Sequence, residues 1–431
     1  MPKIDDYSAI VGQDTINELY SLAEGSRGKI LQNINSTYVG GGVAEILSRM
    51  LPLFKQLGVN ITWDVIKGDD RFFGITKKFH NSLQGYDTDI TDEDLAYFME
   101  VGRRNTEATD IYGDIVLVHD PQPITLIDKR ENDGRTWLWR CHIDLSEPQM
   151  RPLNFLNNYI KRYDYAIISA QKYAQRNLGA EQIIIPPSID PLSDKNKELS
   201  EGFISSTLDR FGIDQERPIV TQVSRFDKLK NPIGVIEAYK KVKSDIDCQL
   251  VLAGGSATDD PEGPAVLEKV LCSSREDPDI HVLDLPPSSH LEINALQRAS
   301  TVVLQNSLRE GFGLTVTEAL WKAKPVIASA VGGIPLQINH GTSGILTTSF
   351  DETVCYLKKL LLKPEYAKMI GINGKEHVRN NFLITRHIKD YLLLLLSLSD
   401  MKGQSTKESK GIAGRQEIKL AIPAVASCEI S

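Results

Sequence analysis

Short runs of β-branched and aliphatic residues recur along the chain, separated by longer stretches whose apolar positions repeat every three to four residues. In the first half such runs fall at 29–34, 60–65, 114–118, 137–141, 165–169 and 183–190. They are too short for helices and too continuously apolar for strands with one wet face, so they read as strands of a sheet covered on both sides. Between them, Val43, Ile46, Leu47, Met50, Leu51 and Phe54 mark one face of a helix over 43–56, and 70–84 and 91–107 are read as two more helices. The last run stops at Pro186-Pro187 and leads into the polar stretch 191–200, which predicts a domain boundary. The alternation then restarts, with strands expected at 218–223, 249–255, 280–283, 301–305 and 325–329. This predicts an α/β protein of two doubly wound, Rossmann-like domains facing across a cleft, 1–197 and 198–385. A terminal helix follows over 386–400. Residues 401–431, whose first part is polar and without apolar period, are expected to form a mobile tail.

Composition adds exclusions. At 431 residues the chain exceeds one ordinary domain. A net charge of −8 argues against bulk nucleic-acid binding. The opening residues are polar, and the longest apolar run, 391–396, is far too short to cross a membrane and reads as the buried face of the terminal helix. Five scattered cysteines without a CxxC pair fit reduced thiols rather than a disulfide framework or zinc site. A cytoplasmic protein with no membrane partner is expected.

The chemistry concentrates in 309–320. Glu310 falls in a turn after the strand at 301–305, and Glu318 lies on the helix that follows. Ligands bind at that strand edge in open α/β sheets. Gly311, Phe312, Gly313 and Leu314 form a turn whose glycines let backbone approach a ligand and present N–H groups to an anion. A second loop, after the strand at 218–223, carries Arg225 and Lys230. Two cations opposite the glycine turn suit a diphosphate leaving group, whose charge grows as its bond breaks. Gly40, Gly41 and Gly42 follow the first strand, either as a plain tight turn or as amides approaching a sugar or its phosphates. His119 and His142 each stand just past a strand of the first sheet. Asp144 can bind an acceptor hydroxyl, and Arg140 either contacts sugar or phosphate or pairs with Asp144. The triplet containing Asp87 and Asp89 has no strand before it and reads as a solvated loop, so no metal site is expected.

Three of these features together, the Glu310/Glu318 segment, Arg225 with Lys230, and 331–335 (Val-Gly-Gly-Ile-Pro), resemble the retaining glycosyltransferases of family 4, over about 28–395. The resemblance implies the GT-B fold and a terminal helix that crosses back onto the first domain. It implies that Glu310 contacts donor-sugar hydroxyls, Glu318 holds the ribose, Arg225 and Lys230 bind the diphosphate, and His142 sits at the reaction centre. His142, Arg225, Lys230 and Glu310 are then the expected catalytic set. Gly41, Gly42, Gly311, Phe312, Gly313, Leu314 and Glu318 complete the donor site, and Asp144, His119 and Arg140 face the acceptor. More narrowly, 137–146, 186–192 and 283–287 resemble the trehalose glycosyltransferring synthases, and retaining trehalose phosphorylases share much of the pattern. Leu336 and Ser188 depart from the broad family, where Glu and Gly are usual. The branch implies ADP-, UDP- or GDP-glucose, glucose and trehalose as substrates; with both glutamates then occupied, retention by front-side attack is expected, and with Arg225, Lys230 and helix dipoles in place of a metal ion, no cofactor. Synthase, phosphorylase, another acceptor, and a non-catalytic sensor or an epimerase stay open at this stage, as does a homodimer.

Overall fold

The computed structural model describes residues 2–38, 41–255 and 263–408, with 400–408 as backbone only. Gly40 of the glycine loop and 409–431 of the expected tail lie outside the described residues. The first six strands are β1 (Ile30–Asn35), β2 (Asn60–Val65), β3 (Ile115–His119), β4 (Thr136–Arg140), β5 (Tyr165–Ile168) and β6 (Glu181–Ile184). They form one parallel sheet in the order β2-β1-β3-β4-β5-β6. The second sheet has β7 (Ile219–Val223), β8 (Gln249–Gly254), β9 (Ile280–Asp284), β10 (Val302–Gln305), β11 (Val326–Ser329) and β12 (Ile345–Thr347). Its order is β12-β11-β10-β7-β8-β9, again parallel.

Successive residues of one strand feed opposite cores, which is why the strands read as unbroken apolar runs. In β3, Val116 and Val118 join a core with Phe72, Phe79, Phe98 and Trp137, while Ile115 and Leu117 join another with Leu47, Phe54, Leu392 and Leu395. The order of each sheet reverses once, between β1 and β3 and between β7 and β10. Loops leaving the carboxyl ends of strands at such a reversal splay apart and leave a crevice. The glycine loop follows β1, His119 ends β3, Arg225 and Lys230 follow β7, and Glu310 follows β10.

Several elements differ from expectation. The run at 183–190 is strand only to Ile184. The prolines at 186 and 187 have no N–H to donate, and the chain continues extended until Ile189 pairs with Leu383. That pairing, Ile189 N–H to Phe382 O and Ile384 N–H to Ile189 O, both 2.9 Å, joins the two places where the backbone passes between the sheets. The second sheet has a sixth strand, β12. The amino-terminal residues form a 3-10 turn (Ile4–Tyr7) and helices Ser8–Val11 and Gln13–Glu24. The last helix runs Ile384–Glu408, so backbone expected to start a mobile tail continues the helix through 408. It packs on the first sheet's side: Ile388, Leu392 and Leu395 share a core with Ile16, Leu19, Leu31 and Leu117. No helix among the described residues is long and apolar enough to cross a membrane.

Candidate active site

The turn after β10 is shaped by close backbone packing. Gly313 adopts φ +83° ahead of the helix Leu314–Trp321, and a Cβ there would meet Glu310 Cγ at 3.1 Å. Gly332 has φ +55°, and a Cβ on it would fall 1.6 Å from the Glu310 carbonyl oxygen. Only glycine fits this position. The segment 331–335 thus braces the Glu310 turn from behind, and Gly333 N–H donates to Gly311 O at 3.1 Å. Phe312 is buried against Phe382, ring centroids 5.6 Å apart. Leu336, where the broad family commonly has Glu, packs against the apolar cores of both domains.

The loops after β7 and β10 are tied together. Leu308 N–H donates to Leu229 O at 2.7 Å, and Gln222 Nε2 donates to Lys230 O at 2.7 Å. Asp227 starts the 3-10 turn Lys228–Lys230 by accepting from Leu229 N–H. Lys230 Nζ then lies 2.5 Å from Glu310 Oε2, in a pair with little exposure on either side. Arg225 is half exposed, with Nη2 3.4 Å from Asp227 Oδ2. From the first domain, the helix Asp70–Leu83 brings His80 to this edge. Burial, then Lys77, Arg225 and Lys230, hold its imidazole down to about 4. That shift disfavours a cation on His80, so the positive charge of this loop comes from Arg225 and Lys230.

Across the cleft, His119 Nδ1 and His142 Nε2 are 3.2 Å apart with nearly parallel rings. Burial, followed by Arg140, holds His119 down to about 3, and burial then Arg140 hold His142 well below its ordinary value. Both shifts favour the neutral form of the rings. A Cβ on Gly311 would lie 3.4 Å from the His142 carbonyl oxygen, so the glycine turn of one domain faces the histidine of the other. Gly42 faces Leu314 in the same way, with 3.7 Å from its would-be Cβ to Leu314 Cδ1. The structure thus brings Gly42 close to Leu314 and Gly311 close to His142 across the two domains.

Of the two roles read for Arg140, a sugar or phosphate contact or a partner for Asp144, the structure excludes the second. Arg140 is fully buried, donates to Ser169 Oγ at 3.3 Å and does not pair with Asp144. Its strand position points it beneath the terminal helix, whereas Asp144, past the sheet edge, accepts from Ser146 N–H at 2.8 Å. Glu318 is buried, with Lys195 Nζ 3.9 Å from its carboxylate and 2.8 Å from Glu45. Burial pushes the Glu318 carboxyl up while Lys195 opposes the shift. Glu45, Arg49, Asp190, Asn196, Leu314 and Glu318 line about 340 Å³ of open space between the domains.

Three contributors escaped the sequence reading. Asp120, at φ +62°, accepts from His142 N–H at 2.7 Å, and burial pushes its carboxyl up to about 6. Tyr173 donates its hydroxyl to Gly311 O. Lys195 joins Glu45 to Glu318. Asp120 alone carried a signal, its place directly after a strand. Among the described residues no three His, Cys, Asp or Glu side chains converge as a metal-ligand set, and Asp87 and Asp89 are exposed.

Two doubly wound parallel sheets, with a glutamate turn and a cationic loop at one switch point, define a glycosyltransferase of GT-B architecture. Comparison with known proteins agrees. Residues 33–175 match the family "Trehalose synthase, N-terminal domain" and 205–377 match "Glycosyl transferases group 1". Trehalose synthase of Pyrococcus horikoshii is 47% identical over 401 residues, covering 92% of this chain and 96% of its own. Trehalose phosphorylase of Pleurotus pulmonarius is 31% identical, covering 81% of this chain and 54% of its own. In fold, a sucrose-phosphate synthase from Thermosynechococcus elongatus superposes with a TM-score of 0.67 at 18% identity, covering 88% of this chain and 99% of its own. The chain belongs to the trehalose synthase family of glycosyltransferases, and its chemistry is trehalose-related glycosyl transfer.

Proposed function

We propose that the protein transfers glucose from a nucleoside diphosphate glucose to free glucose, forming trehalose with retention at the donor's anomeric carbon. The observation that carries this reading is the Lys230–Glu310 pair, a cation and a carboxylate held together beside the Gly311 turn, which meets the His142 backbone of the other domain. In the reaction, Lys230 and Arg225 stabilise the departing diphosphate, doing electrostatically what a divalent ion does elsewhere. Glu310 accepts from hydroxyls of the transferring sugar. Glu318, at the edge of the interdomain space, accepts from the ribose. Asp144 binds the acceptor. Both glutamates are occupied in binding, so no carboxylate is left over as a nucleophile. The acceptor hydroxyl attacks from the leaving-group side and passes its proton to the departing phosphate.

The test is product analysis with glucose and each of ADP-, UDP- and GDP-glucose, read by NMR of the anomeric protons. A disaccharide with both linkages α is expected from one or more donors. A second reading, phosphorolysis of trehalose, is favoured by the phosphorylase likeness and by the same cations. Glucose 1-phosphate from trehalose plus phosphate, with no product from any nucleotide sugar, would replace the first reading with it.

A further inference from the structure

The histidine at the reaction centre belongs to a hydrogen-bonded chain whose direction follows from chemistry alone. Asn33 is fully buried, and its amide nitrogen donates to Thr62 O at 3.1 Å. The opposite amide orientation would set two oxygens against each other, so Oδ1 is the atom facing His119 Nε2, at 3.1 Å. His119 must then carry its proton on Nε2. Its Nδ1, 3.2 Å from His142 Nε2, is left as an acceptor, and His142 Nε2 must be the donor. Two protons cannot share that contact, and the buried guanidinium of Arg140, in register with His119 on the adjacent strand, opposes adding one. A neutral His142 protonated on Nε2 has an unprotonated Nδ1. That nitrogen makes no hydrogen bond within the described residues, the residue is half-buried, and its backbone carbonyl oxygen lies 3.4 Å from where a Cβ on Gly311 would stand, at the meeting of the two domains.

We infer that Asn33 and His119 are positioning residues that select the Nε2–H tautomer of His142, so that its Nδ1 accepts a hydrogen bond from a hydroxyl of the sugar in the cleft. Asp120, by fixing the His142 backbone N–H, holds the ring's attachment in place while the relay sets its proton. The hydroxyl acceptor role rests on the transfer reaction proposed above, whereas the tautomer does not.

The experiment is long-range 15N–1H NMR of the full chain at neutral pH, which distinguishes a protonated from an unprotonated ring nitrogen. In the unsubstituted protein both His119 and His142 should be protonated at Nε2 and bare at Nδ1. A His142 protonated at Nδ1 overturns the inference without any variant needing to fold. In Asn33→Leu, His142 should become a mixture of tautomers, with turnover falling roughly tenfold, the scale of one hydrogen bond, at little-changed donor KM. If Asn33→Leu keeps His142 wholly in the Nε2–H form, Asn33 does not select it and the inference fails. Should the protein make no disaccharide, the proposed reaction falls while the tautomer result still decides the relay.

Discussion

Replacing Lys230 by alanine separates two roles of one side chain. Its ammonium neutralises Glu310, whose side chain is only 9% exposed, at 2.5 Å. Removing it strands a nearly buried carboxylate. Breaking a fully buried pair costs about 3–5 kcal/mol, and because Lys230 keeps 17% exposure we expect a loss of about 2–3 kcal/mol. For domains of this size that lowers the unfolding midpoint by roughly 4–12 °C. The second role appears only in turnover. On the proposed role of Lys230 in stabilising the departing diphosphate, kcat at saturating donor should fall roughly 10²–10³-fold. The double variant Lys230→Ala/Glu310→Gln discriminates between them, since neutralising the stranded carboxylate should restore most of the stability and none of the turnover. Thermal unfolding and initial rates on the two variants and the parent suffice. Near-parental kcat in Lys230→Ala would refute the leaving-group role. An unchanged midpoint would refute the energetic coupling to Glu310.

Gly332→Ala should cost about 3 kcal/mol or more, because it combines a left-handed φ with a Cβ on top of the Glu310 carbonyl; a midpoint shift below a few degrees would contradict the bracing role. Lys195→Met removes a cation that opposes the upward shift of Glu318. Donor KM should rise near neutral pH and recover as pH is raised, and a KM unchanged across pH would count against it. His119, ordinarily near 6.5, is held at about 3 in the fold, so its stabilising contribution is complete above about pH 6.5 and is lost as pH falls through that window, at about 1.4 kcal/mol per pH unit. Asp120, raised to about 6, has the opposite sign between its ordinary 3.8 and 6, where protonation favours the fold. Denaturant unfolding of the parent and His119→Gln from pH 7 to 4 should therefore give curves that differ by about one such slope, and parallel curves would show that His119 is not buried neutral.

Much of the fold was readable because both sheets are covered on two sides, so each strand announces itself without reference to its neighbours. The elements that escaped depend on partners distant in sequence. The helix Gln13–Glu24 buries Ile16, Leu19 and Ala23 against residues near 390, and β12 has three residues, too few for a pattern. The second-domain side of the candidate site was legible since Glu310, the glycine turn and Glu318 follow one another closely in sequence, and Lys230 sits on the adjacent loop. The first-domain side was not. Arg140 lies four residues from Asp144, yet strand alternation turns it into the sheet face under the terminal helix, and the pairing with Asp144, one of two roles read for it, does not form. Tyr173 and Lys195 acquire their roles only when the two domains are brought together.

The return of the helix Ile384–Glu408 to the first sheet has a consequence for synthesis on the ribosome. The second domain's sheet emerges and can close before Ile388, Leu392 and Leu395 exist to cover Leu31, Ile115 and Leu117. Vectorial folding from the amino end, the usual order for multidomain chains, is therefore interrupted here. The first domain waits, with an apolar face uncovered, until after the second has been made. Chaperone dependence should accordingly concentrate on nascent chains halted before residue 384, and a first domain produced alone as 1–197 should associate or aggregate unless the helix is supplied in trans.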